Sequence, residues 1–133
     1  MKIKIALCQI NVVDNKEKNI ENATSMILKA VKQNADFIVL PEIFNCPYSN
    51  EKFIEYCEEE TNSLTLSDEN NTYILAGSIP EKEDSKIFNT SYLFDKNGEI
   101  IAKHRKMHLF DIDVKGKIYF KESDTLSSGN KFT

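Results

Sequence analysis

A glutamate that directly follows a buried strand is the first residue whose position suggests chemistry. Residues 36–40 (DFIVL) form a short run of β-formers that Pro41 stops, and Glu42 comes next. A carboxylate at the carboxyl end of a core strand lies where open α/β folds place their sites. Considered alone, however, Glu42 is better explained as an ordinary cap or surface acid.

Lys106 is a second candidate, and it lies in the basic cluster His104-Arg105-Lys106. Such a cluster by itself indicates only a solvated, charged surface. His104 and His108 are four residues apart, so on a helix they would share one face as metal ligands. The preceding run 100–102 (IIA) is typical of a strand, and no acidic or thiol ligand is spaced to complete a set. We therefore favour a site without a metal.

The segments around these residues resemble motifs of the nitrilase superfamily of carbon–nitrogen hydrolases. Residues 40–45 (LPEIFN) resemble its first-glutamate motif, and residues 104–111 (HRKMHLFD) resemble its lysine motif. Three further segments resemble the ω-amidase branch in particular: 76–81 (AGSIPE), 88–90 (FNT) and 112–118 (IDVKGKI) with Phe120 and Glu122. The order is that of the family over nearly the whole chain, and it implies the N-terminal half of such an enzyme.

The resemblance implies catalytic roles for three residues. Glu42 is the general base, Lys106 is the cation beside it, and Glu122 is a second glutamate that orients the lysine. A thiol that attacks an amide needs a base, and a water-poor pocket raises the pKa of a carboxylate, which we expect for Glu42. A fixed ammonium stabilises the oxyanion as it forms. The family uses no cofactor, so we expect none, and we expect a small-molecule amide as substrate.

The nucleophile of the family is a cysteine in a Gly-x-x-x-Cys-Tyr-like motif beyond the lysine, and no cysteine follows Cys57 here. We interpret Cys8, Cys46 and Cys57 as structural or incidental. Residues 1–133 are thus predicted to form a partial carbon–nitrogen hydrolase domain without the later part that carries the cysteine, and to be inactive alone. The alternative is a stand-alone pseudoenzyme that acts as a binding or dimerisation partner.

Composition bounds the class of protein. The sequence has 133 residues, 41% hydrophobic and 29% charged, as in an ordinary globular domain. Its net charge of −4 is too mild to indicate a nucleic-acid or membrane partner. Three cysteines without zinc-like spacing fit a reducing compartment, so we expect a cytoplasmic protein.

The periodicity of the chain predicts an α/β fold with a sheet of mixed direction. A helix begins at Asp14 or Asn15 and continues to about Lys32, and residues 51–58 form a turn or two of helix. Strands are expected at residues 2–10, 36–40, 73–79, 88–95 and 99–103, the last two joined by the Asn97-Gly98 turn. Residues 60–72 are polar and weakly periodic, where the resemblance implies a longer helix, and the chain from Lys106 onward is irregular.

The resemblance also implies the fold of the complete enzyme, a four-layer α-β-β-α sandwich of which this chain is the first half. Half a sandwich leaves one apolar face of its sheet uncovered. We expect Phe37, Val39, Ile74 and Ala76, or their alternating neighbours, to face water. The chain is therefore expected to be a homo-oligomer or otherwise to self-associate.

Overall fold

The structure, a computed structural model, describes residues 2–59 and 72–133. Its elements in chain order are β1 (Ile5–Leu7), α1 (Lys16–Lys32), β2 (Phe37–Val39), α2 (Asn50–Tyr56), β3 (Glu58–Glu59), β4 (Tyr73–Glu83), β5 (Lys86–Phe94), β6 (Ile100–Arg105), β7 (Asp111–Val114), β8 (Ile118–Lys121) and a 3₁₀ helix (Glu122–Asp124). The predicted polar segment 60–72 lies, except for Thr72, outside the described residues. Within the described ranges, no helix is long and apolar enough to cross a membrane.

One sheet organises the fold. Its strands lie in the order β1-β2-β4-β5-β6, and β3 pairs with the far end of β4. Strands β1, β2 and β4 are parallel, whereas β4, β5 and β6 are antiparallel, so the predicted mixed sheet is confirmed. Of the two predicted caps Asn15 is correct, because its side chain accepts a hydrogen bond of 2.7 Å from the Lys18 amide.

Helix α1 covers one face of this sheet. Ala23, Ile27 and Ala30 recur at helical spacing and are buried. They belong to a cluster that also contains Cys8, directly after β1, and the strand residues Ile38, Ile74, Ala76, Ile79, Tyr92 and Phe94. Because side chains alternate along a strand, every second residue of these strands faces away from the helix.

The opposite face is apolar and open. In register across the strands it presents two rows, Ile5–Phe37–Tyr73 and Leu7–Val39–Leu75–Leu93. Ile5 and Leu7 are 59% and 74% exposed. Of the residues predicted for this face, Phe37 and Val39 lie on it and are half-buried. Ile74 and Ala76 are buried under α1, and in β4 their alternating neighbours Tyr73 and Leu75 lie on the face instead. The parallel register sets Phe37 beside Tyr73 and Val39 beside Leu75, so Tyr73 and Leu75 of β4 face outward.

Element bounds differ from prediction at several places. β1 is shorter than residues 2–10, while β4 extends to Glu83 past a register shift between Ala76 and Ile79. β6 continues to Arg105. The hairpin β7–β8 replaces the irregular segment expected after Lys106. Its position matters because the 3₁₀ helix that begins at Glu122 follows directly.

Candidate active site

The backbone before Glu42 is fastened to β4. Leu40 donates its amide hydrogen to Leu75 O at 2.9 Å, so the pairing continues past the end of β2. The Ile43 amide then donates to Ser78 Oγ at 2.8 Å. The segment after β2 and strand β4 approach so closely that a Cβ on Gly77 would lie 1.9 Å from Leu40 O. Only glycine fits there, and the close approach fixes where the Glu42 side chain starts.

Lys106 and Glu122 arrive from the other side of the site. The Lys106 amide donates to Asn89 O at 2.8 Å and so extends β6 along β5 by one residue. Glu122 begins the 3₁₀ helix after β8 and is fully buried. Its amide donates to Phe110 O at 3.0 Å, and its carboxylate accepts a hydrogen bond from the Phe110 amide. This two-way pairing holds Glu122 against the start of the hairpin.

The structure brings the three sequence-predicted site residues together. Lys106 Nζ lies 2.9 Å from Glu42 Oε1. The same ammonium lies 3.2 Å from Glu122 Oε1 and 3.1 Å from Glu122 Oε2. One cation therefore bridges two carboxylates that are eighty residues apart in sequence. Their catalytic roles remain predictions.

The electrostatics of Glu42 differ from expectation. Burial pushes the pKa of Glu42 up, but hydrogen bonds from Lys106 and Asn89 outweigh it, so the pKa lies below its ordinary value. The expected raised pKa was wrong, because the side chain is 49% exposed and already paired. Burial lowers the pKa of Lys106, yet bonds to Glu42 and Glu122 raise it overall. The pair therefore exists as a carboxylate and an ammonium at neutral pH.

Two further residues complete the site. Asn89 Nδ2 donates to Glu42 Oε1 at 2.8 Å. The Tyr48 hydroxyl donates to Glu122 Oε1 and lies 3.4 Å from Glu42 Oε1. Asn89 falls within a recognised motif, but Tyr48 lies in the loop at 45–50, where nothing in the spacing marks it. Only the fold shows that this loop passes beside Glu122.

The donors to Glu42 leave one of its oxygens open. Lys106 and Asn89 both donate to Oε1, and the Tyr48 hydroxyl lies near the same oxygen. Within the described parts of the chain, Oε2 accepts no hydrogen bond. The side chain opens into a cavity of about 510 Å³, lined by Glu42, Gly77, Ser78, Asn89, Ser91, His104, Lys106, Met107, His108 and Phe132. A carboxylate with one held and one open oxygen is suited to accept a proton from a bound reactant.

The cysteines lie apart from this site. Cys46 is buried among Ile43, Phe53, Tyr56 and Leu126, and burial raises its pKa to about 12. Burial also raises the pKa of Cys8 in the sheet core. Since the thiolate is the reactive form, neither is suited to attack a carbonyl. Cys57 Sγ donates to Ile54 O at 3.2 Å at the end of α2.

Comparison with known proteins identifies the family of the chain. Residues 4–133 match the carbon-nitrogen hydrolase family. The chain is 44% identical over 135 residues to mouse omega-amidase NIT2 and 47% identical over 137 residues to nitrilase homolog 2 of Dictyostelium discoideum. Each alignment covers 98% of this chain, but 49% of the mouse protein and 42% of the Dictyostelium protein.

A solved structure gives the same result for the fold. Nit3 of Saccharomyces cerevisiae, a member of branch 10 of the nitrilase superfamily, superposes with a TM-score of 0.79 at 34% sequence identity. The match covers 98% of this chain and 50% of Nit3. The chain thus spans about half the length of the curated relatives it matches.

Proposed function

Because this chain belongs to the carbon–nitrogen hydrolase family, we propose that it supplies the acid–base half of an ω-amidase-like site. Its substrate is the amide group of a small dicarboxylate monoamide. The observation that carries the proposal is the bridge from Lys106 Nζ to Glu42 at 2.9 Å and to Glu122 at 3.1 Å. The relatives that are 44% identical and named ω-amidases support the substrate class.

In the proposed reaction Glu42 Oε2 takes the proton of a cysteine thiol, and the thiolate attacks the amide carbon. The carbonyl π electrons move to oxygen, where the Lys106 ammonium stabilises the negative charge. When the tetrahedral intermediate collapses, the C–N bond breaks and the leaving nitrogen takes the proton from Glu42, releasing ammonia. Water then attacks the thioester with Glu42 again as base, which yields the free acid and regenerates the thiol.

The proposed nucleophile lies outside residues 1–133. No cysteine follows Cys57 in this sequence, and the buried Cys46 has a raised pKa. We propose that the later half of a longer catalytic unit supplies the cysteine and that residues 1–133 alone do not hydrolyse amides. The purified chain is expected to release no ammonia from succinamate or α-ketoglutaramate. Release that survives in a variant with all three cysteines changed to serine would contradict this.

A chimera tests whether residues 1–133 supply the acid–base groups of an amidase site. Residues 1–133 replace the aligned half of mouse ω-amidase, to which they are 44% identical. The chimera is expected to hydrolyse succinamate, and Glu42→Gln or Lys106→Met is expected to lower kcat by at least about 100-fold. Glu99→Gln, an exposed glutamate at the hairpin turn, is the matched control and should retain activity. An active Glu42→Gln chimera would contradict the assignment of the base.

We also propose that the chain is cytoplasmic and that it self-associates, and the open apolar face supports the self-association. Leu7 is 74% exposed on that face, whereas Leu28 is 46% exposed on the outer side of α1. Burying apolar surface contributes about 25 cal/mol per Å², so covering the face favours association. Light scattering is expected to show dimers or larger species that Leu7→Lys dissociates and Leu28→Lys does not. A monomer at every concentration would overturn this proposal.

The second candidate is a pseudoenzyme that binds a partner through the same face. The observation that favours it is the exposure of that face, on which Ile5 and Leu7 are 59% and 74% exposed. The reading frame beyond Thr133 discriminates the two candidates. A Gly-x-x-x-Cys-Tyr-like motif there favours the amidase, and a stop codon favours the pseudoenzyme.

A further inference from the structure

The phenol of Tyr48 lies between the two carboxylates of the site. Its hydroxyl donates to Glu122 Oε1 and lies 3.4 Å from Glu42 Oε1. Burial and the neighbouring carboxylates raise the pKa of Tyr48, so the hydroxyl keeps its proton. A phenol has one proton to donate, and the geometry commits it to Glu122.

Packing places the Tyr48 ring independently of its hydroxyl. Phe53 of α2 meets the ring edge-on with centroids 5.2 Å apart, and Phe120 of β8 lies at 5.8 Å. Asn50 Nδ2 also donates to Lys121 O at 2.9 Å, which ties the same loop to β8. Removing only the oxygen is therefore expected to leave the ring in place.

The two glutamates differ in how many of their oxygens are occupied. Glu122 Oε1 accepts from Tyr48 and Lys106, while Oε2 accepts from the Phe110 amide and lies 3.1 Å from Lys106. The described residues that donate to Glu42, Lys106 and Asn89, both do so at Oε1. Both oxygens of Glu122 are therefore occupied, whereas within the described residues Oε2 of Glu42 accepts no hydrogen bond and is open to a reactant.

From this asymmetry we propose that Tyr48 is a positioning residue that determines which glutamate serves as the base. Its hydroxyl holds Glu122 as the fixed anchor of Lys106 and leaves Glu42 Oε2 free to accept the proton. The inference rests on the proposed amidase function for its catalytic meaning. The effect of Tyr48 on the two glutamates does not depend on the amidase function, and it can be measured without turnover.

Tyr48→Phe is expected to change the titration of Glu42. Without the hydroxyl, Glu122 Oε1 loses a donor and draws the Lys106 ammonium toward itself. Glu42 loses the nearby phenol and part of its ion pair, and both losses disfavour its charged form. The Glu42 midpoint is expected to rise by about half a pH unit.

The test is a carboxyl ¹³C NMR titration of the 133-residue chain, with the Glu42 signal assigned by its loss in Glu42→Gln. Tyr56→Phe is the matched control, because the Tyr56 hydroxyl also donates to a carboxylate, Asp14 Oδ1 at 2.7 Å, outside the site. An upward shift in Tyr48→Phe alone supports the proposal. No shift, or an equal shift in both variants, overturns it.

A second measurement needs no variant of Tyr48 to fold. A hydroxyl committed to a buried carboxylate exchanges slowly with water, so the unchanged chain is expected to show a downfield hydroxyl proton coupled through space to the Tyr48 ring. Its absence overturns the proposal. In the chimera, Tyr48→Phe is further expected to move the acid limb of kcat/KM to higher pH by the same amount. An inactive chimera would count against the amidase function. The NMR titration would still show whether Tyr48 is a positioning residue.

Discussion

Two buried glutamates, Glu81 and Glu122, pair with cations that are consecutive in sequence. The two ion-pair clusters that result nevertheless have different properties. Glu81 is paired with Arg105, the last residue of β6, and Glu122 is paired with Lys106, the next residue. Side chains alternate across a strand, so consecutive cations enter separate clusters. The clusters differ in their balance of charge and in the oxygens left open, and this difference makes one of them a candidate for chemistry.

The Glu81 cluster is fully satisfied. Arg105 donates through Nε to Oε2 at 3.0 Å and through Nη2 to Oε1 at 2.8 Å, and Thr90 Oγ1 donates to Oε2 at 2.6 Å. Lys103 also pairs with Oε1, while Glu83 pairs with the outer side of Arg105. Two carboxylates thus face two cations. Burial raises the pKa of Glu81, but these partners outweigh it and hold the pKa at about 2.

The Glu42–Glu122 cluster has an excess of negative charge. Among the residues that the structure describes, the two carboxylates share one ammonium, that of Lys106, and Glu42 keeps one oxygen open to a cavity. Sites that do chemistry commonly forgo interactions that would stabilise the fold. We infer that the Glu81 cluster contributes to stability and that the Glu42 cluster retains capacity for reaction.

Glu81→Gln is expected to have the largest effect on folding. It leaves the partly buried Lys103 and Arg105 without their shared anion, and breaking a buried ion pair costs about 3 kcal/mol. The free energy of unfolding, measured by urea titration, is expected to fall by that amount. Glu83→Gln is the control, because Glu83 is 54% exposed and solvent screens its ion pair, so its loss should lower the free energy of unfolding much less. Equal losses in the two variants would contradict a special contribution from the buried carboxylate.

The same cluster predicts how stability depends on pH. Glu81 has a pKa lowered from 4.5 to about 2, so the folded state binds its proton less readily than the unfolded chain. Its contribution is complete above about pH 4.5 and is lost as the pH falls toward 2. Unfolding midpoints measured between these limits should decline less steeply in Glu81→Gln than in the unchanged chain. Parallel curves would show that other groups dominate acid unfolding.

The sequence predicted which residues come together at the candidate site better than it predicted the bounds of the surrounding strands. Glu42 and Lys106 lie in long recognisable motifs, and the start of α1 follows from the capping preference of Asn15. The hairpin β7–β8 was missed although Ile112 and Val114 alternate with polar residues before a turn at Gly116, which adopts φ 73°. Tyr48 could not be found, because its contact with Glu122 spans 74 residues and depends on how the 45–50 loop packs.

Lys106→Met tests the charge imbalance of the candidate site. The change leaves Glu122 buried with hydrogen bonds from Tyr48 and Phe110 but without a cation. We expect a loss of about 2 kcal/mol at pH 7, below that for Glu81→Gln because Lys106 is 27% exposed. Lys96→Met, at an exposed turn, is the control for loss of one positive charge. A loss as small as in the control would show that the two carboxylates do not depend on the ammonium.

Glu42→Gln should have the smallest effect on folding. This variant is the most direct test of the difference between the two clusters. The side chain is 49% exposed, and glutamine keeps the oxygen that accepts from Asn89 at 2.8 Å. The substitution also removes one of the two negative charges around Lys106, which leaves that ammonium paired with Glu122 alone. The attraction between Glu42 and Lys106 is lost, and the repulsion between Glu42 and Glu122 is relieved. These two effects nearly cancel, so the free energy of unfolding should change by less than about 0.5 kcal/mol. The same substitution is expected to abolish turnover in the chimera. A loss of stability close to that of Glu81→Gln would instead make Glu42 a structural anchor, and the two clusters would then be equivalent in kind.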